Sequence, residues 1–208
     1  MFFFSIIIIF IVLLYLIEFY FFYKKKILKK DVFYQYKKIY SDIKLRIYPK
    51  YFIKNNNEIL PLSGISNSLT FNCSDDHKIN QNKFIYQSDR FGFNNKDENW
   101  ESKDIKLLLT GDSIPQGKCT YSKDTISFKL DKKNYRNINI CYAGNGPLLQ
   151  YASIKEYFSK VKPDSLIWFF NERQSFLELL FEKNNPILKS YYLKNFYTQF
   201  LSSNQTRI

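Results

Sequence analysis

A single histidine and three cysteines are all that 208 residues offer of the side chains that most often bind metal or form crosslinks. One imidazole, His77, excludes most His-based metal sites, and no CxxC pair supplies thiolates in its place. Neither metal nor cofactor is expected. Cys73, Cys119 and Cys141 are too few and too widely spaced for a disulfide framework, so they read as small apolar fillers. Acidic residues are also short, 19 against 31 basic ones, for a net charge of +12. That balance suggests nucleic acid or anionic lipid as a partner. The basic residues are mostly Lys scattered along the chain, however, and no cluster joins a motif that reads bases, so no nucleic-acid partner is expected. Phe, Tyr, Ile, Asn and Lys are abundant, and all belong to A/T-rich codons, so part of the bias is genomic. No internal repeat is visible.

Charge is nearly missing from the first segment, and there its absence is informative. From Met1 to Tyr23 the only charged side chain is Glu18. At about 1.5 Å per residue a helix of this length spans a hydrocarbon core of roughly 30 Å. A cleaved signal peptide fits worse, because there is no basic start, the apolar run is too long and no small-residue cleavage site follows. The segment reads as a membrane anchor. Lys24, Lys25, Lys26, Lys29 and Lys30 follow it and no Lys or Arg precedes it, which by the positive-inside rule keeps the main domain cytoplasmic. The same lysines also suit anionic headgroups.

Beyond the anchor the chain divides by pattern into an arm with loops over 24–83 and an α/β domain over 84–208. The arm mixes basic and aromatic residues at loosely helical spacing and should end near Pro49. Polar loops follow, with one or two short strands. From Asp104 apolar runs alternate with helical spacing. "IKLLLT", "NINICYA" and "SLIWFF" read as buried strands; "KDTISFKLDKK" and "PLLQYASIKEYFSKV" read as the helices between them. Strand, helix, strand, helix, strand at these spacings predicts a parallel sheet with crossover helices.

The turn after the first of these strands, "LLLTGDSIPQGKCT", decides the chemistry. A Walker phosphate loop needs Gly, four residues, then Gly-Lys and a hydroxyl. Here Gly111 and Gly117 enclose five residues, and Cys119 stands where the metal-binding hydroxyl belongs. It is not a phosphate loop. In open parallel sheets functional groups sit just past the carboxyl ends of strands, and Ser113 lies three residues beyond Thr110. A hydroxyl there can be presented as a nucleophile, with a neighbouring backbone N–H for an oxyanion. The plainer alternative is a serine that caps the following helix.

"GDS" after an apolar strand resembles the first block of the SGNH, or GDSL-type, hydrolases, with Ser113 in the nucleophile's place. "YQSDRFGFNNKDENW" is similar to the segment before that strand in a membrane-anchored bacterial branch. "NICYAGNGPLLQYASIKEY" resembles the second block, which makes Gly144 an oxyanion-hole backbone donor. "KPDSLIWFFNERQSFLELLFEK" resembles the third block. The similarity covers about Phe84 to the end. It implies an incomplete three-layer α/β/α parallel sheet of SGNH-hydrolase type, preceded by one transmembrane helix. The activity it implies is ester hydrolysis or acyl transfer on an envelope carbohydrate or lipid, from an envelope-facing domain. Asp112 is taken as structural, bonding to nearby backbone.

The departures from the pattern are specific. Gln174 stands where the family's oxyanion Asn is expected, and Ser175 where the Asp follows; Asn171 is nearby but out of register. The Asp-x-x-His block that carries the base has no counterpart after Ser113. His77 precedes the nucleophile, with Ser74 in the partner Asp's position. The family sheet has five parallel strands, and this chain supplies about three, as would the first part of a longer protein or a degraded copy. An incomplete sheet should leave an apolar edge exposed. Two other classes remain in view: a catalytically dead membrane-tethered interaction protein, and a lipid or nucleic-acid binder using the Lys-rich arm.

Overall fold

The computed structural model describes residues 2–54, 58–73, 85–195 and 197–203, with side chains throughout except at 2–3 and 25–32. The chain divides into two compact units: one holds the long first helix, and the other holds both sheets. His77 and Ser74 lie outside the described residues, as do the side chains of Lys25, Lys26, Lys29 and Lys30.

Helix α1 (Phe2–Ile39) contains neither Gly nor Pro, so nothing interrupts it at the apolar-to-basic boundary near Tyr23. It ends at Ile39, ten residues before Pro49, where the sequence places its end. Within it, Phe4–Lys24 is 21 residues long with a mean hydropathy of 2.6 and no buried portion. That stretch is long and apolar enough to cross a membrane. The stacked rings of Tyr36 and Tyr40 lie at the helix end.

The second unit is mixed α/β. Strands β1 (Lys44–Leu45), β2 (Leu69–Phe71) and β3 (Ile85–Gln87) form one sheet, with β1 parallel and β3 antiparallel to β2. Residues 42–73, which the sequence assigns to arm and loops, therefore belong to this unit. They give it two strands and the buried Leu60 and Leu62. The chain then runs through β4 (Leu107–Thr110), α2 (Ser113–Gln116), α3 (Ile126–Asp131), β5 (Asn137–Asn139) and α4 (Pro147–Val161). It finishes with β6 (Ser165–Trp168), α5 (Glu172–Glu182) and α6 (Pro186–Leu193). The second sheet has the order β5-β4-β6, all parallel.

Local chemistry explains these elements. β4 is the central strand, and Leu108 and Leu109 are fully buried on its opposite faces. β5 alternates in the reverse sense: Ile138 enters the core, while Asn137 and Asn139 bond the helices beside them. Asn137 Nδ2 donates to Asp131 Oδ1 and Ser127 O, and Asn139 Nδ2 to Pro115 O. Between β3 and β4 the chain folds around Asp89, which is 1% exposed. Its Oδ1 accepts from the backbone of Phe91 and Phe93, and its Oδ2 from Asn95 Nδ2 and Trp100 Nε1. The stretch "SDRFGFNNKDENW" is thus a turn system built on one carboxylate. The main core joins Phe93, Leu108, Ile138, Leu149, Tyr157 and Leu188.

Two elements depart from soluble-protein habit. All four residues of β6 are exposed, although the run reads as a buried strand. Among the described residues β6 is an edge strand and pairs with β4 alone. Helix α5 is amphipathic in the inverted sense. Ser175, Glu178 and Glu182 face inward, while Phe176, Leu177, Leu180 and Phe181 are exposed.

Candidate functional site

The site lies where β4 and β6 release their chains in neighbouring loops, the place at which an open parallel sheet gathers functional groups. Gly111 leaves β4 under close contact. A Cβ added there would stand 2.8 Å from Pro115 Cγ and 2.9 Å from Phe169 Cβ, so only glycine fits. Asp112 then caps the single turn α2, its Oδ1 accepting from Ile114 N at 3.1 Å. This matches its expected structural role. Ser113 is the first residue of that turn and is partly exposed.

Three connections hold α2 from behind. The buried Gln116 accepts from Ala143 N at 3.1 Å and from the Arg46 guanidinium through the same Oε1. Asn72 Nδ2 donates to Gly117 O. Beyond it, Cys119 is disulfide-bonded to Cys73, and only Cys141, which is buried, is a free thiol. The expectation that all three cysteines are fillers is therefore corrected for two of them. The pairing could not be read from a separation of 46 residues, because it depends on the end of β2 meeting the loop after α2.

The loop after β5 supplies Gly144 in the left-handed region, at φ +81°, against Tyr48 and Lys50. A side chain at 144 would strain the backbone. Tyr142 N donates to Gly111 O, which ties this loop to the Ser113 turn. Behind it, Glu182 accepts from the backbone of Gly146, Leu148 and Leu149 and so caps α4 from a different helix. Burial lifts this carboxyl to about 7, against the pull of those three donors.

After β6, Asn171 caps α5 by accepting from Gln174 N at 3.0 Å. Gln174 Nε2 donates to Glu178 Oε1 at 2.7 Å, and Lys50 Nζ meets the same oxygen at 3.2 Å. The Gln174 amide is thus engaged within its own helix.

Ser113, Gly144 and Gln174, the three residues singled out from sequence, all line one open cleft of about 470 Å³. Asn171 lines it as well. Tyr48, Lys50, Tyr51, Lys118 and Glu178 were not anticipated there. Lys50 and Glu178 are 128 residues apart; Lys50 lies outside the matched stretches, and Glu178 lies within the third but at no position marked there. The titratable side chains of the cleft are carboxylates, amines and phenols; no imidazole is among its described residues. Among the described residues no group of three or more His, Cys, Asp or Glu is placed to hold a metal ion. A polar cleft with a hydroxyl at a strand end, and with both lysines and carboxylates in its lining, suits a polar, carbonyl-bearing ligand. No protein-family model, curated protein or solved structure matches this chain.

Proposed function

We propose that this chain is a membrane-anchored SGNH/GDSL-like domain that receives acyl esters at the Ser113 cleft, as an esterase or O-acyltransferase does, with no imidazole among the described residues of that cleft. One observation carries this reading: Ser113, Gly144 and Gln174 come from three separate stretches and line the same cleft. In it, Ser113 Oγ attacks the acyl carbonyl, while its own N–H, that of Gly144 and a side-chain amide hold the oxyanion; collapse of this intermediate breaks the ester C–O bond and expels the alcohol, which carries away the hydroxyl proton. Water then releases the acid, or an acceptor hydroxyl takes the acyl group. With no imidazole in the described cleft, the hydroxyl stays a poor nucleophile. Glu178 accepts one N–H of the Gln174 amide and leaves the other for the oxyanion; loss of such a donor costs about 10²- to 10³-fold.

The test has two arms. A short-chain boronic acid, which mimics the oxyanion, should shift the backbone amide resonances of Ser113 and Gly144; no shift at either would overturn the ester site. Hydrolysis of an activated acetate ester should proceed equally with the wild type and Ser113→Ala. Turnover that vanishes in Ser113→Ala would show that some group does supply the base.

The Cys73–Cys119 disulfide supports placing the domain on the oxidising side of the membrane, against the lysine rule. Protease added to intact cells should therefore digest the domain, and digestion only after lysis would reverse the assignment. A second reading, a catalytically dead membrane-tethered interaction protein, is favoured by the outward apolar face of α5.

A further inference from the structure

We propose, on the ester reading above, that Gln116 is a positioning residue of the Ser113 cleft, its side-chain amide fixing the turn that carries the Gly144 N–H. Tyr142 to Asn145 form a tight turn, closed by Asn145 N donating to Tyr142 O at 3.1 Å. Ala143 N donates to Gln116 Oε1, also at 3.1 Å. Between these two held amides, the Gly144 N–H has no acceptor among the described residues. A turn of this kind has two states. Gly144 is its third residue, and φ +81° there, with Ala143 outside the positive-φ region, makes the turn type II. A half-rotation of the Ala143–Gly144 peptide gives type I. That rotation turns the Gly144 N–H to the opposite side and brings the Ala143 carbonyl oxygen into its place, where it repels an oxyanion. What anchors Ala143 therefore decides whether the donor is presented.

Gln116 provides that anchor from the turn of Ser113 itself. It is fully buried and ends α2, the helical turn that Ser113 begins, so one side chain couples the hydroxyl to the Gly144 turn. Two donors meet its Oε1, the Ala143 N–H and the Arg46 guanidinium, the latter at 3.4 Å. Only the oxygen end of the amide can accept from both, which fixes which way the amide faces. Its Nε2 is buried without a partner among the described residues, so these donors, not its own N–H groups, set the orientation. Arg46 is held in turn by Asn72 Oδ1 at 2.7 Å and by the Tyr48 hydroxyl. The Tyr48 ring lies beside Gly144, where an added Cβ would stand 3.2 Å from its Cδ1. The chain that leaves β1 and β2 thus supports both the amide that holds the turn and the ring that packs on it. Gln116 acts through Ala143 and needs no contact with the substrate.

The experiment compares the isotope-labelled full chain in detergent micelles with Gln116→Met and Gln116→Glu. Met keeps the reach of the side chain without a comparable acceptor, and Glu restores an acceptor that faces Arg46. In Gln116→Met the Ala143 amide should exchange with deuterium about tenfold faster or more, the equivalent of one lost hydrogen bond. Gln116→Glu should return it to the wild-type rate. The amides of Ile140 and Phe169, which bond Leu109 O and Thr110 O, should exchange alike in all three proteins. The short-chain boronic acid should need about ten times the concentration to shift the Gly144 resonance of Gln116→Met. An Ala143 amide as slow in Gln116→Met as in the wild type would overturn the proposal, as would a Glu variant that fails to restore the rate. Equal acceleration at Ile140 and Phe169 would also overturn it, because Gln116 would then only hold the fold. So would boronic acid that binds Gln116→Met as well as the wild type. A wild type with no boronic-acid response removes the ester reading and the role at the oxyanion with it. That failure is told apart by an Ala143 amide that still speeds up in Gln116→Met.

Discussion

At the scale of the residue, buried carboxylates set how the protein responds to pH. Burial raises Asp89 to about 6 and Glu182 to about 7, above the ordinary 3.8 and 4.5. Between the ordinary and the raised values the folded chain holds protons that the unfolded chain has released. Their contribution is therefore full below the ordinary values and is lost as pH rises through 6 and 7. For Glu182 the change amounts to about 3 kcal/mol. The melting temperature should fall from pH 5 to pH 8, and Glu182→Gln should flatten that slope; a wild type that gains stability over this interval would contradict it. Asp89→Ala is a harsher change. It leaves the buried N–H groups of Phe91 and Phe93 and the Trp100 indole N–H without this acceptor, while Asn95 keeps Asn139 O, and should cost about 3 kcal/mol, read as a lower denaturant midpoint with an unchanged slope. Only part of this residue chemistry was legible in the sequence. The Asp112 cap follows from an Asp two positions before an orphan N–H, a local relation. Glu182 reaches Gly146 across 36 residues, and Asp89 gathers its partners only once the turn has formed.

At the scale of the element, apolar runs located β4, β5, β6 and α4 well, because periodicity and run length are properties of a segment alone. Burial is a property of neighbours. "SLIWFF" has the composition of a core strand, yet whether anything lies beyond it depends on sheet order, which the segment does not encode. The same limit hid the inversion of α5, whose inward Glu residues are explained only by the start of α4 and by Lys50. α1 is the element that composition determines most fully. Phe4–Lys24 should hold the full-length chain in the pellet through alkaline carbonate extraction. Recovery of intact chain in the supernatant would disprove the anchor.

At the scale of the whole molecule, the bridge between Cys73 and Cys119 closes a loop across 46 residues. On chain-entropy grounds it contributes about 4 kcal/mol, so reductant should lower the melting temperature of the wild type and leave that of Cys73→Ser with Cys119→Ser unchanged. A wild type insensitive to reductant would show that the bridge stays open in solution. The loop encloses β3, the Asp89 turn, β4 and Ser113. The Ser113 turn is thus fastened to the chain that leads back to α1 by two covalent routes, the backbone and the sulfur bridge. A protease that nicks the polypeptide once between Cys73 and Ser113 severs only the first. On a gel without thiol the nicked protein keeps its full size, and the downstream fragment separates from the helix only when thiol is added. A single cut inside the bridged loop therefore frees the downstream chain only when a reductant follows it.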